Sequence, residues 1–207
     1  MMESNGILLA GKKTLLVLSH PNLEESKFNK ALIDGIKDLE NLTIRHLEEL
    51  YGSDIKAFDI EKEQELLLSH DRVIFQFPWY WYSSPAMIKA YQDEVFTYGF
   101  AYGSAGDKLN GKEFKIATTV GAPDFAYQEG GWNKNSMNEL LKPFQSMTNL
   151  TGMTYTRAFR VHGTAAMSDE ELKEQVSLYR EELLDDAWDN GLNKYLRVMN
   201  EDSVKAK

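Results

Sequence analysis

The chain has 207 residues, 43% of them hydrophobic and 27% charged, and its 23 Lys and Arg stand against 32 Asp and Glu for a formal net charge of −9. It contains no cysteine, which excludes disulfide frameworks, Cys-ligated zinc, iron–sulfur clusters and thiol catalysis, so any redox chemistry must be carried by a cofactor. The acidic balance and the lack of a Lys or Arg run exclude a general nucleic-acid binder, and at roughly 150 residues per domain the length predicts one domain with a full core.

Residues 1–12 read as a flexible leader, because Ile7, Leu8 and Leu9 stand between polar neighbours without the apolar stretch and cleavage site of a secretory signal. No stretch reaches the roughly 20 apolar residues of a spanning helix. A cytoplasmic protein is therefore expected, and the N-x-T triplets at Asn41 and Asn149 read as chance matches to a glycosylation acceptor. Residues 14–19 (TLLVLS) form an apolar run of strand length, followed by the turn residues His20, Pro21 and Asn22. From Ser26, the apolar positions Phe28, Leu32, Ile36 and Leu39 share one face of a predicted helix. Residues 42–47 form a weaker strand, since Arg45 and His46 sit in it. A short helix over residues 61–69 leads to a third strand at 72–77, and Pro85 opens a helix that runs to about Phe96. Residues 114–120 supply a fourth strand, and a Gly, Pro and aromatic loop over 121–132 leads to a helix bearing Met137, Leu140, Leu141 and Phe144, which Pro143 should kink or split.

Residues 153–161 read as the fifth strand. Ser168 and Glu171 form a capping box for the last helix, with an apolar stripe of Leu172, Val176, Tyr179, Leu183 and Ala187. Most of the net negative charge falls on this helix, between Asp169 and Asp189, and is expected to be its solvated face. Strands alternating with helices in this way predict one α/β domain on a parallel sheet over residues 13–195, with a tail over 196–207.

In such sheets ligands bind beyond the carboxyl ends of the strands, which selects three loops. The first, residues 20–29, runs into a helix start where free N–H groups and the helix dipole favour a phosphate, with His20 and Ser26 able to add hydrogen bonds; Ser26 is equally explained as a simple N-cap. The second puts four consecutive aromatics, Trp79, Tyr80, Trp81 and Tyr82, after Pro78, where turns normally take Gly, Asn, Asp or Ser. Rings of this size need a partner surface, and four in a row at a strand's end suit a planar heterocycle. The third begins with Thr118, Thr119, Val120 and Gly121, whose hydroxyl and N–H groups suit the polar edge of such a ring. Rival motifs fail: no G-x-G-x-x-G follows the first strand, the G-x-x-x-x-G-K at 106–112 precedes a strand and lacks the Ser or Thr for magnesium, and the four histidines lack metal-site spacing.

At these residues the sequence resembles the flavodoxin-like NAD(P)H:quinone oxidoreductases, a family that includes the ancillary subunits of glutathione-gated potassium-efflux systems and the modulator-of-drug-activity group. The resemblance rests on His20-Pro21 with Ser26-Lys27-Phe28-Asn29 and on the run from Gln76 through Trp79-Tyr80-Trp81-Tyr82 to Ala86. It continues through Asp93-Glu94-Val95-Phe96, Gly99-Phe100-Ala101-Tyr102-Gly103, Leu109-Asn110-Gly111-Lys112 and Thr118-Thr119-Val120-Gly121. It implies an open five-stranded sheet of order 2-1-3-4-5 with helices on both faces, a bound flavin, NAD(P)H as co-substrate, a quinone or similar planar acceptor, and a homodimer with its active sites at the subunit interface. By the same resemblance His20, Phe28 and Asn29 hold the ribityl phosphate, with Ser26 from the loop reading counted beside them, and Pro78, Trp79, Tyr80, Trp81 and Tyr82 support the isoalloxazine. Thr118, Thr119, Val120 and Gly121 line its other edge, and Phe100 and Tyr102 line the substrate pocket, that of the other subunit of the dimer; Phe125 and Trp132 of the third loop are further substrate-binding candidates. The family usually has Gly where Val120 stands. Its best-described members relay charge through a Tyr and then a His in the loop after the fourth strand; Tyr127 takes the first role one residue out of step, and Trp132 and Asn133 occupy the region of the His. The chain lacks the long carboxyl-terminal extension of the FAD-using members, which makes FMN the expected flavin over FAD. The family also implies an alternative role, docking on a membrane potassium-efflux transporter with the flavin as a structural or sensing group.

Overall fold

The computed structural model describes residues 11–185 and residue 188. Residues 1–10 of the expected leader, the end of the expected domain at 186, 187 and 189–195, with Ala187 of the last stripe, and the tail over 196–207 fall outside these residues. One parallel sheet contains β1 (Thr14–Leu18), β2 (Leu42–His46), β3 (Arg72–Pro78), β4 (Glu113–Thr119), β5 (Thr154–Tyr155) and β6 (Phe159–Val161), in the order β2-β1-β3-β4-β5, with β6 also on β4. In register, Leu15 lies beside Thr43 and Val73, and Phe75 beside Ile116.

The fifth position holds two short strands in place of the single run expected over 153–161. Glu113 pairs with Thr154, but Ala117 pairs with Phe159, so the segment between carries one residue too many to stay in register. The extra length is taken up as in a bulge. Buried Thr156 turns its backbone N–H and its hydroxyl onto the same Phe114 carbonyl, at 2.9 and 3.0 Å.

Alternation along the buried strands sends residues to two cores. Leu16, Leu18, Ile74 and Ala117 pack beneath α1 (Lys27–Asp34) and α7 (Asp169–Leu184), which supply Leu32, Ile33, Tyr179 and Leu183. Val17, Phe75, Phe77 and Phe114 pack on the other face with Met87, Ile88 and Tyr91 of α4 (Ala86–Val95) and Phe144 of α6 (Lys142–Thr151). Pro143 divides the expected helix into α5 (Met137–Leu140) and α6, taking the first-turn position where its missing N–H costs no hydrogen bond. The capping box at Ser168 and Glu171 is present. Gly35 lets α1 meet α7, since a Cβ there would stand 2.3 Å from Val176 Cγ1.

Arg45, which weakened the sequence signal for β2, has a buried destination. Its guanidinium reaches Glu63 of α3 (Ile60–Ser69) at 2.5 Å, and Glu63 also accepts from Tyr51 at 2.7 Å. The acidic helix α7 is likewise more than a solvated face: Glu182 pairs at 2.7 Å with Lys115, which is buried on β4, and burial lowers the Lys115 pKa while Glu182 opposes that shift. Lys115 and Arg72 both lie over the Trp188 ring, at 4.9 and 4.4 Å from its centroid.

Gln76, fully buried at the centre of β3, accepts from the Tyr179 hydroxyl at 3.0 Å. Tyr179→Phe leaves that acceptor dry and unpaired, so urea unfolding should show a loss of about 1–3 kcal/mol.

Candidate functional site

The loops after β1, β3, β4 and β6 converge beyond the carboxyl ends of the sheet. In the first loop Ser19 Oγ donates to Glu48 Oε1 at 2.6 Å and the His20 N–H to Glu48 Oε2 at 3.0 Å. Glu48 belongs to α2 (Leu47–Tyr51). His46 Nε2 donates to the His20 carbonyl at 2.9 Å, and the Asn22 N–H donates to His20 Nδ1 at 3.1 Å. With Nδ1 accepting, the neutral His20 ring carries its proton on Nε2 and keeps it available. Burial lowers the His20 pKa, and Glu48 pulls against that shift. Ser26 is the N-cap of α1, its hydroxyl oxygen accepting from the Asn29 N–H at 3.2 Å. Phe28 is half-buried in the first turn, and the buried Asn29 side chain donates to Thr119 Oγ1 at 2.9 Å, tying α1 to β4.

The second loop is a tight turn. Tyr80 and Ser83 exchange two backbone hydrogen bonds, at 3.0 and 2.9 Å, and the residues between them, Trp81 and Tyr82, both have positive φ, 47° and 62°. Two central residues of positive φ define the turn geometry that normally selects Asn-Gly. Two aromatics here store strain of order 1–3 kcal/mol each. Trp81 is 93% exposed. Trp79 instead is buried, its backbone N–H donating to the Thr119 carbonyl at 2.9 Å, and Tyr82 reaches Asn133 Oδ1 at 3.0 Å.

The third loop opens with Thr118, whose buried Oγ1 makes no hydrogen bond, nor does the buried Trp79 Nε1 make a well-formed one. Val120 is committed to the core and to the Val161 carbonyl, which accepts its N–H at 2.8 Å. Gly121 fronts open space, with no atom within 4 Å of where a Cβ would stand. Tyr127 sits between Tyr82 and His162, at ring-centroid distances of 6.4 and 5.8 Å, and burial raises its pKa while the Trp79 indole opposes the shift. His162 follows β6, and Asp124 Oδ1 lies 3.3 Å from its Nε2. Burial lowers the His162 pKa, with Asp124 the chief opposing influence.

The expected substrate residues divide. Phe125 and Trp132 form an exposed edge-to-face pair, 5.4 Å between centroids. Tyr102, also exposed, borders a groove of about 770 Å³ between α4 and α6 with Ser83, Ser84 and Phe96. Phe100 does not join them, since it is packed in the core. The sequence reading missed Glu48, Asp124 and His162, of which only His162 left a local signal: a histidine directly after a strand in a sheet of this type stands at the ligand-binding end.

A family model described as the flavodoxin-like fold matches residues 12–184. The chain belongs to this family. This flavodoxin-like protein is 44% identical to the Bacillus subtilis protein named uncharacterized NAD(P)H oxidoreductase YdeQ, over 81% of this chain and 84% of that one. It is 33% identical to the glutathione-regulated potassium-efflux system ancillary protein KefG of Yersinia enterocolitica, over 81% and 90%. Among solved structures, it resembles general stress protein 14 of Treponema denticola in complex with FMN (34% identity, TM-score 0.77, 84% of this chain and 99% of that one). It also resembles an NADPH-quinone reductase of P. pentosaceus (32%, TM-score 0.76, 84% and 99%). Among the described residues no helix is long and apolar enough to cross a membrane, and no three His, Asp or Glu side chains converge for a metal.

Replacing the strained pair by Trp81→Asn with Tyr82→Gly restores the residues that this turn geometry favours. Thermal and urea unfolding of the unliganded protein should show a gain of about 1 kcal/mol or more.

Proposed function

We propose that this protein is an FMN-dependent NAD(P)H oxidoreductase that passes two electrons to a quinone or a similar planar acceptor. The observation that carries the reading is the strained aromatic turn at Trp81 and Tyr82, at the same end of the sheet as the uncrowded Gly121 and the unpartnered Thr118 Oγ1. Strain of this kind persists where a ligand uses it. The relatives named as NAD(P)H oxidoreductase and NADPH-quinone reductase, and the FMN in the Treponema structure, support the same assignment.

The residues fit the flavin. His20 Nε2–H, the Ser26 hydroxyl and the amino end of α1 at Phe28 and Asn29 suit its phosphate. The turn from Pro78 to Tyr82 and the edge from Thr118 to Gly121 suit the ring, with Asn29 acting through Thr119 and Val120 holding the edge in the core. A flavin held there supplies hydride exchange with NAD(P)H and two-electron delivery to the acceptor. The protein's part is to orient flat partners and to balance charge. Tyr127 closes one side of the site, and His162 behind it takes up a proton with Asp124 as counter-ion, which fills from another strand the place of the His absent from the loop. Trp81, Phe125 and Trp132 remain open to stack on a substrate, which Tyr102 would reach from across a dimer interface. The groove at Tyr102, with exposed Tyr98 and Leu150 (each 68%) around it, suits a second copy of the chain, giving a homodimer. A cytoplasmic location belongs to this reading.

Protein purified with FMN should be yellow and should oxidise NAD(P)H with a simple benzoquinone in ping-pong kinetics; a colourless, inactive product after reconstitution would end the proposal. Gly121→Val should lower FMN affinity more than tenfold by filling the ring's place, while unfolding free energy stays within about 0.5 kcal/mol. His162→Ala and Tyr127→Phe should keep FMN bound and lower kcat by on the order of tenfold to a hundredfold.

The similarity to KefG favours a second reading, an ancillary subunit that docks on a potassium-efflux transporter. Cells that keep efflux with a Trp81 variant unable to turn over would support docking, and efflux that fails with turnover would count against it.

A further inference from the structure

A carboxylate stands directly behind the loop assigned to a phosphate. Glu48, whose side chain is 14% exposed, turns both oxygens onto that loop, accepting from the Ser19 hydroxyl and the His20 N–H at 2.6 and 3.0 Å. A negative group in this place repels a phosphate dianion, so its presence calls for a positive contribution. The geometry supplies one. Glu48 and His46 between them take both polar groups of the His20 backbone, the N–H and the carbonyl, while Asn22 fixes the ring through Nδ1. Every hydrogen-bonding group of His20 is then committed except Nε2.

We propose that Glu48 is a positioning residue for phosphate recognition: through Ser19 and His20 it presents the His20 Nε2–H to the ligand's phosphate, and it serves as counter-ion for the imidazolium that forms when a phosphate arrives on the other side. The inference rests on the FMN reading of the site. In the free protein burial favours the neutral His20 ring. With a phosphate bound, the ring feels a second anion besides Glu48 and takes up a proton. The other charged group that acts on it is His46, which opposes protonation; Glu49, whose carboxylate is 3.5 Å from His46 Nδ1, and Glu24 line a neighbouring cleft with His46 and Glu48. Lys30, at the start of α1, is occupied by Glu24 and Asp34.

Because proton uptake accompanies binding, FMN affinity should fall as pH rises from 6.5 to 8.5, a range in which the ligand's own phosphate is already mostly dianionic. Riboflavin, which has the same ring and no phosphate, should show no such slope. In Glu48→Gln the amide cannot accept from both donors and carries no charge. Fluorescence-quenching titrations of the apo-protein should show FMN affinity reduced by about tenfold, riboflavin affinity within twofold of the parent, and the pH slope moved to lower pH. Ser19→Ala, which keeps the carboxylate, should weaken FMN less and leave the slope in place. Equal losses of FMN and riboflavin affinity in Glu48→Gln, or an unchanged FMN affinity and pH slope, would overturn the proposal. If the parent protein binds FMN no more tightly than riboflavin, the assignment of the loop to a phosphate fails first and takes the role of Glu48 with it.

Discussion

A short chain of buried amide and hydroxyl groups sets the geometry on which the site depends. Gln76, in the middle of the central strand, accepts from Tyr179 of α7 at 3.0 Å and turns its NH2 toward Asn29 of α1, whose own amide donates to Thr119 of β4 at 2.9 Å. The Gln76 carbonyl also accepts from the Ser19 N–H at 3.0 Å. Away from water, each of these groups loses more by being unpaired than it gains by being paired. The amino end of α1, the end of β1 and the start of the third loop are therefore held in one relative position. Apolar packing is non-directional and would specify the places of α1 and α7 on the sheet less sharply.

Much of the architecture was legible because its causes are local. Apolar runs of strand length, a Ser with a Glu three positions on, and a proline inside a helical stripe each specify their own outcome. Residues 153–161 looked like one strand because every position in them is compatible with a strand, and only the pairing with β4 reveals the surplus residue taken up near Thr156. Arg45 counted against β2 because its partner, Glu63, lies on another helix and cannot be paired with it by sequence pattern.

The same division runs through the site. Three candidate loops could be marked from composition and from the rule that ligands sit at the carboxyl ends of parallel strands. The roles within them could not. Nothing local distinguishes Phe100, which goes into the core, from Tyr102, which stays at the surface. Glu48 and His162 reach the site from β2–α2 and from β6, elements whose neighbours are decided by sheet order. The acidity of the chain also changes meaning, since Glu182 and Glu63 are drawn inward by Lys115 and Arg45, and the net charge does not describe the surface near the cleft.

The break in the fifth strand has a consequence for how the molecule behaves among its own kind. An edge strand offers unpaired backbone groups to any passing chain, and a long flat edge is a template for aggregation. Here that edge is two residues of β5, an interruption that turns Thr156 back onto Phe114, and three residues of β6. That side of the sheet therefore presents no uninterrupted row for a foreign strand to join, and the five residues of β2, at the other end of the strand order, form the longer edge.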